Sequence, residues 1–231
     1  MFGQREEYES YAGEMGKSTS GLWDPTKREL CVSPMELLVG SEQRTWLAEV
    51  LYHEGLHQYF QGETPAWYHE GHATFMEGVQ FEKAGIEIGE VEPYVQVVDQ
   101  QLRKGHPLRF AQLIRMSYPE FYASQPERGS FNYARAWALM YYLRIGAPVA
   151  GEADDTAILE RFHKVMLASG KAKEATDEAF DGVDLDQLEQ RFVKFGTSTR
   201  LRSQARKFVL GAPGSDARSP SRPRLAPSSN K

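Results

Sequence analysis

Four of the six histidines of this 231-residue chain lie between positions 53 and 72, and two of them stand in His53-Glu54-Gly55-Leu56-His57. On a helix, residues four apart differ by one turn of rise and about 40° of rotation, so both imidazoles face one point. That spacing suits a shared metal ion. Glu54, next to His53, is placed to take a proton from water there rather than to ligate. The chain has one cysteine, Cys31, so a metal site must rest on His, Asp and Glu. Two imidazoles and a carboxylate suit a single Zn²⁺ ion.

A third ligand is available nearby in Ala66-Trp67-Tyr68-His69-Glu70-Gly71-His72-Ala73. With Glu70 at 0° on a helix, Ala66, Trp67, Thr74, Glu77 and Phe81 fall within about 60° of it, whereas His69 lies at about −100° and His72 at about −160°. Glu70 is therefore on the mostly apolar face, where a carboxylate needs a partner because an unpaired buried charge is costly. It is the expected third ligand. His69 can approach from the rim, and His72 reads as a hydrogen-bonded or solvated helix histidine. Thr74 and Glu77 are candidates to hold the imidazoles in the ligating tautomer, although Glu77 reads equally well as a surface ion pair.

The elements that must position these residues are legible from periodicity. Ser41–Phe60 carries Trp46, Val50, His53 and His57 at three- and four-residue spacing and predicts a largely buried helix ended by Gly62. Thr64 followed by Pro65 predicts a cap and first helical residue, with a helix from Pro65 to about Lys83. Ahead of both, Gly21 to Val32 predicts a hairpin turning at Asp24-Pro25-Thr26-Lys27. Further helices are expected at Glu6–Tyr11, Phe110–Met116, Tyr118–Ser124 and Ser130–Ile145, the last stopped by Gly146 and Pro148. Thr156–Ser169, Lys173–Phe180 and Leu185 to about Phe208 follow, with Asp184 and Gln187 as a capping box for the last.

The expected fold class is α+β, predominantly helical, as one domain over residues 1–208. Its N-terminal part, about 1–60, holds a small hairpin sheet, and its remainder, about 64–208, is helical. Residues 212–231 hold one large apolar residue, Leu225, and predict a disordered basic Pro/Ser-rich tail. The formal net charge of −5 divides into +9 over residues 190–231, where ten Lys or Arg face Asp216 alone, and −14 over the rest. An acidic body argues against nucleic acid as a partner. The longest apolar run, Ala136 to Leu143, is far short of the roughly 20 residues of a membrane span. Polar residues directly after Phe2 leave no secretory signal.

His53-Glu54-x-x-His57 followed by Trp67-x-x-Glu70-Gly71-x-Ala73 and Glu77 resembles the gluzincin pattern of peptidase-MA-like zinc metallopeptidases. A closer resemblance is to a compact bacterial branch of them carried as a domain of unknown function. It rests on Phe2-Gly3-Gln4-Arg5-Glu6-Glu7-Tyr8, the hairpin, the two metal segments and Phe131-Asn132-Tyr133-Ala134-Arg135-Ala136-Trp137, and covers most of residues 1–195. It implies a zincin-like fold, Zn²⁺ on His53, His57 and Glu70, Glu54 as general base, and a peptide or protein substrate. The linker from His57 to Glu70 is shorter than in the aminopeptidases of the family, and their G-x-M-E-N segment is absent. Amino-terminal exopeptidase activity is therefore not implied. Members begin with an apolar strand before Phe2, so the N-terminus is expected to be incomplete, and the compartment stays open. Gluzincins often place a tyrosine on the oxyanion of the tetrahedral intermediate. Tyr133 is the candidate here, with an aromatic core stripe shared with Trp137 and Tyr141 as the other reading.

Two function classes follow. The first is a zinc metallopeptidase. The second is a noncatalytic zinc-stabilised binding or scaffold module with a basic interaction tail, which would have no use for Glu54. No signal for an oligomeric state is present.

Overall fold

From Ser41 onward, apolar residues recur at helical spacing, and the chain folds as an α+β protein made mostly of helices. The computed structural model describes residues 2–17, 19–34, 41–60, 63–82, 85–123, 126–205 and 209–210. The expected tail, 212–231, and Gly62 lie outside the described residues.

Helix α1 (Arg5–Ala12) opens with the Glu7 carboxylate accepting the Gly3 and Gln4 N–H groups, and a 3₁₀ turn (Gly13–Lys17) follows it. Strands β1 (Gly21–Asp24) and β2 (Glu29–Val32) pair antiparallel with Trp23 opposite Leu30. Their turn is set by Asp24 Oδ1, which accepts the N–H groups of Thr26 and Lys27 at 2.9 and 3.1 Å. Short side-chain acceptors of this kind define such turns.

Helix α2 (Ser41–Tyr59) packs beside β1, and α3 (Ala66–Met76) lies against both α2 and α7 (Pro126–Tyr141). The approach of α3 to α7 is close: a Cβ at Gly71 would stand 3.0 Å from the Ala136 carbonyl oxygen. Met140 is fully buried on this seam, Trp67 and Leu139 are fully buried in the core, and Tyr68 stacks on Phe162 at 4.3 Å. Between the two helices the chain forms β3 (Val79–Glu82), β4 (Gly85–Ile88), α4 (Glu92–Arg103), α5 (Phe110–Leu113) and α6 (Tyr118–Tyr122). After α7 come a π turn (Tyr142–Gly146), α8 (Ala147–Ala150), α9 (Ala153–Ser169), α10 (Ala172–Ala179), α11 (Leu185–Thr197), α12 (Thr199–Ala205) and β5 (Val209–Leu210). Strands β3, β4 and β5 form a second sheet in that order, so the part expected to be helical, about 64–208, carries two short strands, β3 and β4, with β5 just past its end.

Four of the boundaries that differ from the sequence reading have a local cause. Pro65, in extended conformation, caps α3 in place of Thr64, its carbonyl accepting from Tyr68 and His69 at 3.0 Å. Helix α3 stops at Met76 rather than near Lys83, because the chain turns at Gly78 onto Gly89. The Gly89 N–H reaches the Gly78 oxygen at 2.8 Å, and a Cβ at Gly78 would meet the Gly89 oxygen at 2.4 Å. Helical structure passes through Gly146 and Pro148 and ends at Gly151 (φ 77°), since Pro148 sits in the first turn of α8, where a missing N–H is harmless. The helix expected from Leu185 to about Phe208 breaks at Ser198, in the Gly196-Thr197-Ser198-Thr199 run of weak helix formers. Asp184 caps α11, accepting from Asp186 and Gln187.

Among the described residues, no helix is long and apolar enough to cross a membrane.

Candidate metal centre

Helix α2 presents His53 and His57 one turn apart, and α3 presents Glu70 toward them. The Nε2 atoms of His53 and His57 lie 3.7 and 3.8 Å from Glu70 Oε2. Together the three residues form a group that could hold a metal ion. Tetrahedral ligation with bonds of about 2.0–2.1 Å would place neighbouring ligand atoms about 3.3 Å apart, so each histidine would close on Glu70 by a few tenths of an ångström, within a group whose ligand atoms all lie within 4.8 Å of one another.

The surroundings fit a cation. Glu70 is 1% exposed, and its Oε2 is buried with no hydrogen-bond donor. Among the described residues the ion-pair partners of Glu70 and Glu77 are His53 and His57, with no Lys or Arg. Leaving a carboxylate oxygen so buried and unpaired is costly, and a divalent ion removes that cost.

Each imidazole is fixed by an outer partner. His53 Nδ1 meets Glu77 Oε1 at 2.6 Å, and the Tyr94 hydroxyl donates to the same oxygen at 3.0 Å. His57 Nδ1 meets His69 Nε2 at 2.8 Å, and His69 Nδ1 meets the Tyr118 hydroxyl at 2.5 Å. Both arrangements leave Nε2 free to ligate, as outer partners commonly do. On Glu70, the Tyr122 hydroxyl donates to Oε1. Thr74 plays no such part: its hydroxyl donates to the Glu70 and Gly71 carbonyls of its own helix at 2.7 and 3.1 Å.

Electrostatics separate the two candidate ligand histidines. Burial disfavours protonation of His53, but Glu77, with further help from Glu70 and Glu54, outweighs it and pushes the pKa up to about 9. His57 is driven down to about 2 by burial and by its neighbours His53 and His69. Burial and His53 lower His69 to about 4, and burial also raises Glu70. Glu54 is 8% exposed and accepts the Trp23 N–H of β1 at 2.9 Å. Burial lifts its pKa to about 7 against the opposing pull of His53 and the Trp23 N–H.

Tyr133, on α7, places its ring 6.3 Å from that of His53 and 6.4 Å from that of Tyr122. Its phenol is held protonated by burial and by the charges of Glu70, Glu54 and Glu77. Trp137 and Tyr141, one and two turns on, stack on each other at 5.2 Å in the core. His72 stands apart from the site. It is buried, with Nδ1 at 2.9 Å from the Tyr68 carbonyl oxygen and Nε2 at 3.1 Å from Arg144 Nε.

Sequence reasoning left out Tyr94, Tyr118, Tyr122, the Trp23 N–H and the contact of His69 with His57. The tyrosine pair four apart after Ser117 was the available signal, being the same helical spacing that identified the histidines.

No curated protein and no solved structure matches the chain. The stretch from residue 46 to 147, which takes in every site residue from His53 to Tyr133, is similar to a family described as Protein of unknown function (DUF1570).

Proposed function

We propose that this protein is a zinc-dependent metallopeptidase with a gluzincin-like zincin arrangement, in which His53, His57 and Glu70 hold the ion. One observation carries the reading. Glu70 Oε2, buried and without a donor, faces the Nε2 atoms of an HExxH pair whose Glu54 stays off the ligand triangle, against a strand edge. A bound divalent ion supplies Lewis acidity, making water more acidic and a carbonyl more electrophilic.

The chain's own residues do the rest. Glu54 takes the proton of the attacking water and returns it to the leaving amine, a task matched by a pKa near 7. Tyr133 keeps its proton and donates it as a hydrogen bond to the oxyanion. The Trp23 to Val32 hairpin offers a strand edge to an extended peptide, and strand addition there supplies main-chain hydrogen bonds.

The test is metal analysis of the purified protein combined with digestion of a mixed peptide library by wild type and Glu54→Gln. The expected result is equal zinc in both and a loss of cleavage by Glu54→Gln of about 100-fold or more. Undiminished cleavage by Glu54→Gln rejects the mechanism. Zinc-loaded wild type that cleaves no peptide favours the noncatalytic module instead.

A further inference from the structure

Helix α6 carries Tyr118 and Tyr122 four residues apart, with their rings stacked at 5.9 Å. Each phenol ends a hydrogen-bond chain that starts at a different candidate ligand. Tyr122 donates directly to Glu70 Oε1, and Tyr118 reaches His57 through His69. We propose that these two tyrosines are positioning residues for the ion, a pair of phenols delivered by one short helix to fix how Glu70 and His57 present their ligand atoms. The proposal rests on the metal-site reading above.

A carboxylate with both oxygens free can bind an ion through either or both. A phenol O–H on Oε1 leaves Oε2 as the one oxygen offered, and Oε2 is the atom found without a donor. The imidazole arm follows from proton bookkeeping. If His57 ligates through Nε2, its hydrogen is on Nδ1 and is donated to His69 Nε2. The His69 hydrogen must then be on Nδ1, where the Tyr118 oxygen accepts it. Without that acceptor, His69 loses a bond that favours this tautomer over the other, which would set N–H against N–H at His57.

The helix is built to hold this register. Glu120 accepts the Ser117 N–H at 2.8 Å, Phe121 is fully buried, and Asn132 of α7 donates to the Phe121 carbonyl at 2.8 Å. Tyr122 itself is 47% exposed, so packing alone does not account for a phenol committed to a carboxylate that is 1% exposed.

The experiment measures Zn²⁺ affinity by chelator competition and the visible spectrum of Co²⁺ bound to wild type, Tyr118→Phe and Tyr122→Phe. Tyr11→Phe, whose phenol meets Glu29 on the exposed surface, is the control. The control should match wild type. Each clamp variant should bind Zn²⁺ about 10–100-fold more weakly. In Tyr122→Phe the Co²⁺ absorption should also weaken, because a second Glu70 oxygen raises the coordination number from four to five. A purely structural tyrosine would lower the thermal midpoint of the metal-free protein and leave the Co²⁺ spectrum unchanged. Wild-type affinity and spectrum in both variants overturn the proposal while the metal reading stands. A wild type that takes up neither ion overturns both. If Tyr122→Phe fails to fold, the His57 arm decides. His69→Gln still offers His57 an acceptor, so adding Tyr118→Phe to it should cost no further affinity, and a full additive loss overturns the proposal.

Discussion

The Trp23 N–H of β1 donates to Glu54 Oε2 at 2.9 Å, so a strand edge holds the carboxylate that lies between the two candidate ligand histidines in sequence. Gly21, two residues earlier, makes this approach possible. A Cβ there would stand 2.7 Å from Glu54 Cγ and 2.6 Å from Val50 Cγ1, and neither atom is the free end of a flexible side chain. Gly21→Ala should therefore displace Glu54 without touching the metal ligands. We expect zinc content to be unchanged and kcat to fall about 100-fold, the usual cost of misplacing a reacting group by about 1 Å. Steady-state kinetics beside metal analysis check this, and wild-type kcat in a folded Gly21→Ala protein would mean that Glu54 does not depend on the strand.

Glu77 holds His53 through Nδ1 at 2.6 Å and is itself held by Tyr94. Glu77→Gln keeps the shape but removes the anion and the unambiguous acceptor. Zn²⁺ affinity should fall about 10–100-fold, the range typical for outer partners of metal histidines. Competition with a chelator at pH 8 reads the change, and Thr74→Val, which alters only a bond to the helix's own carbonyls, should leave affinity unaltered.

These two residues also show where the sequence is readable. His53, His57, Glu70 and Glu77 lie on helices or at their ends, and the 3.6-residue period projects their directions before any tertiary contact is known. Thr74 lies on the same projected face, yet a hydroxyl in a helix interior satisfies itself on the carbonyl four residues back, and here it does. The outer partners were hidden for a different reason. Tyr94, Tyr118 and Tyr122 arrive from α4 and α6, between 17 and 52 residues away from the atoms they bond, and periodicity, which can set Tyr118 and Tyr122 on one helix face, does not say what that face meets. The β3–β4 pair was lost to the neighbouring helix: Val79 to Glu82 continues the helical face on paper, and only the packing of Gly78 on Gly89 turns the chain out of it.

Asp155 of α9 is 2% exposed and accepts two bonds from Arg191 at 2.7 Å and one from the Tyr142 hydroxyl at 2.9 Å. It ties α9 and α11 to the π turn. Asp155→Ala leaves a buried phenol and a guanidinium without their acceptor. We expect a loss of about 3 kcal/mol in urea unfolding, at the low end for a broken buried pair because the Arg191 side chain keeps 28% of its exposure. The metal site is not touched by this change, so Zn²⁺ affinity of the folded variant should be that of wild type.

His72 gives the clearest pH prediction. It is 4% exposed, donates Nδ1–H to the Tyr68 carbonyl and accepts from Arg144 at Nε2, with His163 and His69 as further neighbours. Protonation would bury a second cation beside Arg144. Burial first and the Arg144 charge second hold its pKa well below that of a free histidine. In the unfolded chain the same imidazole takes up a proton as pH falls through about 6.5. The unfolded state then binds more protons than the folded one, so the contribution of His72 is complete above that pH. Below it, the contribution is lost at up to about 1.4 kcal/mol per pH unit. His72→Gln retains an acceptor for Arg144 and has no proton to gain. Between pH 6.5 and 5, metal-free wild type should therefore lose about 1.5–2 kcal/mol more stability in urea unfolding than His72→Gln. Equal losses in the two proteins would show that the folded core accepts a proton at His72, and with it that the Arg144 contact does not hold the ring neutral.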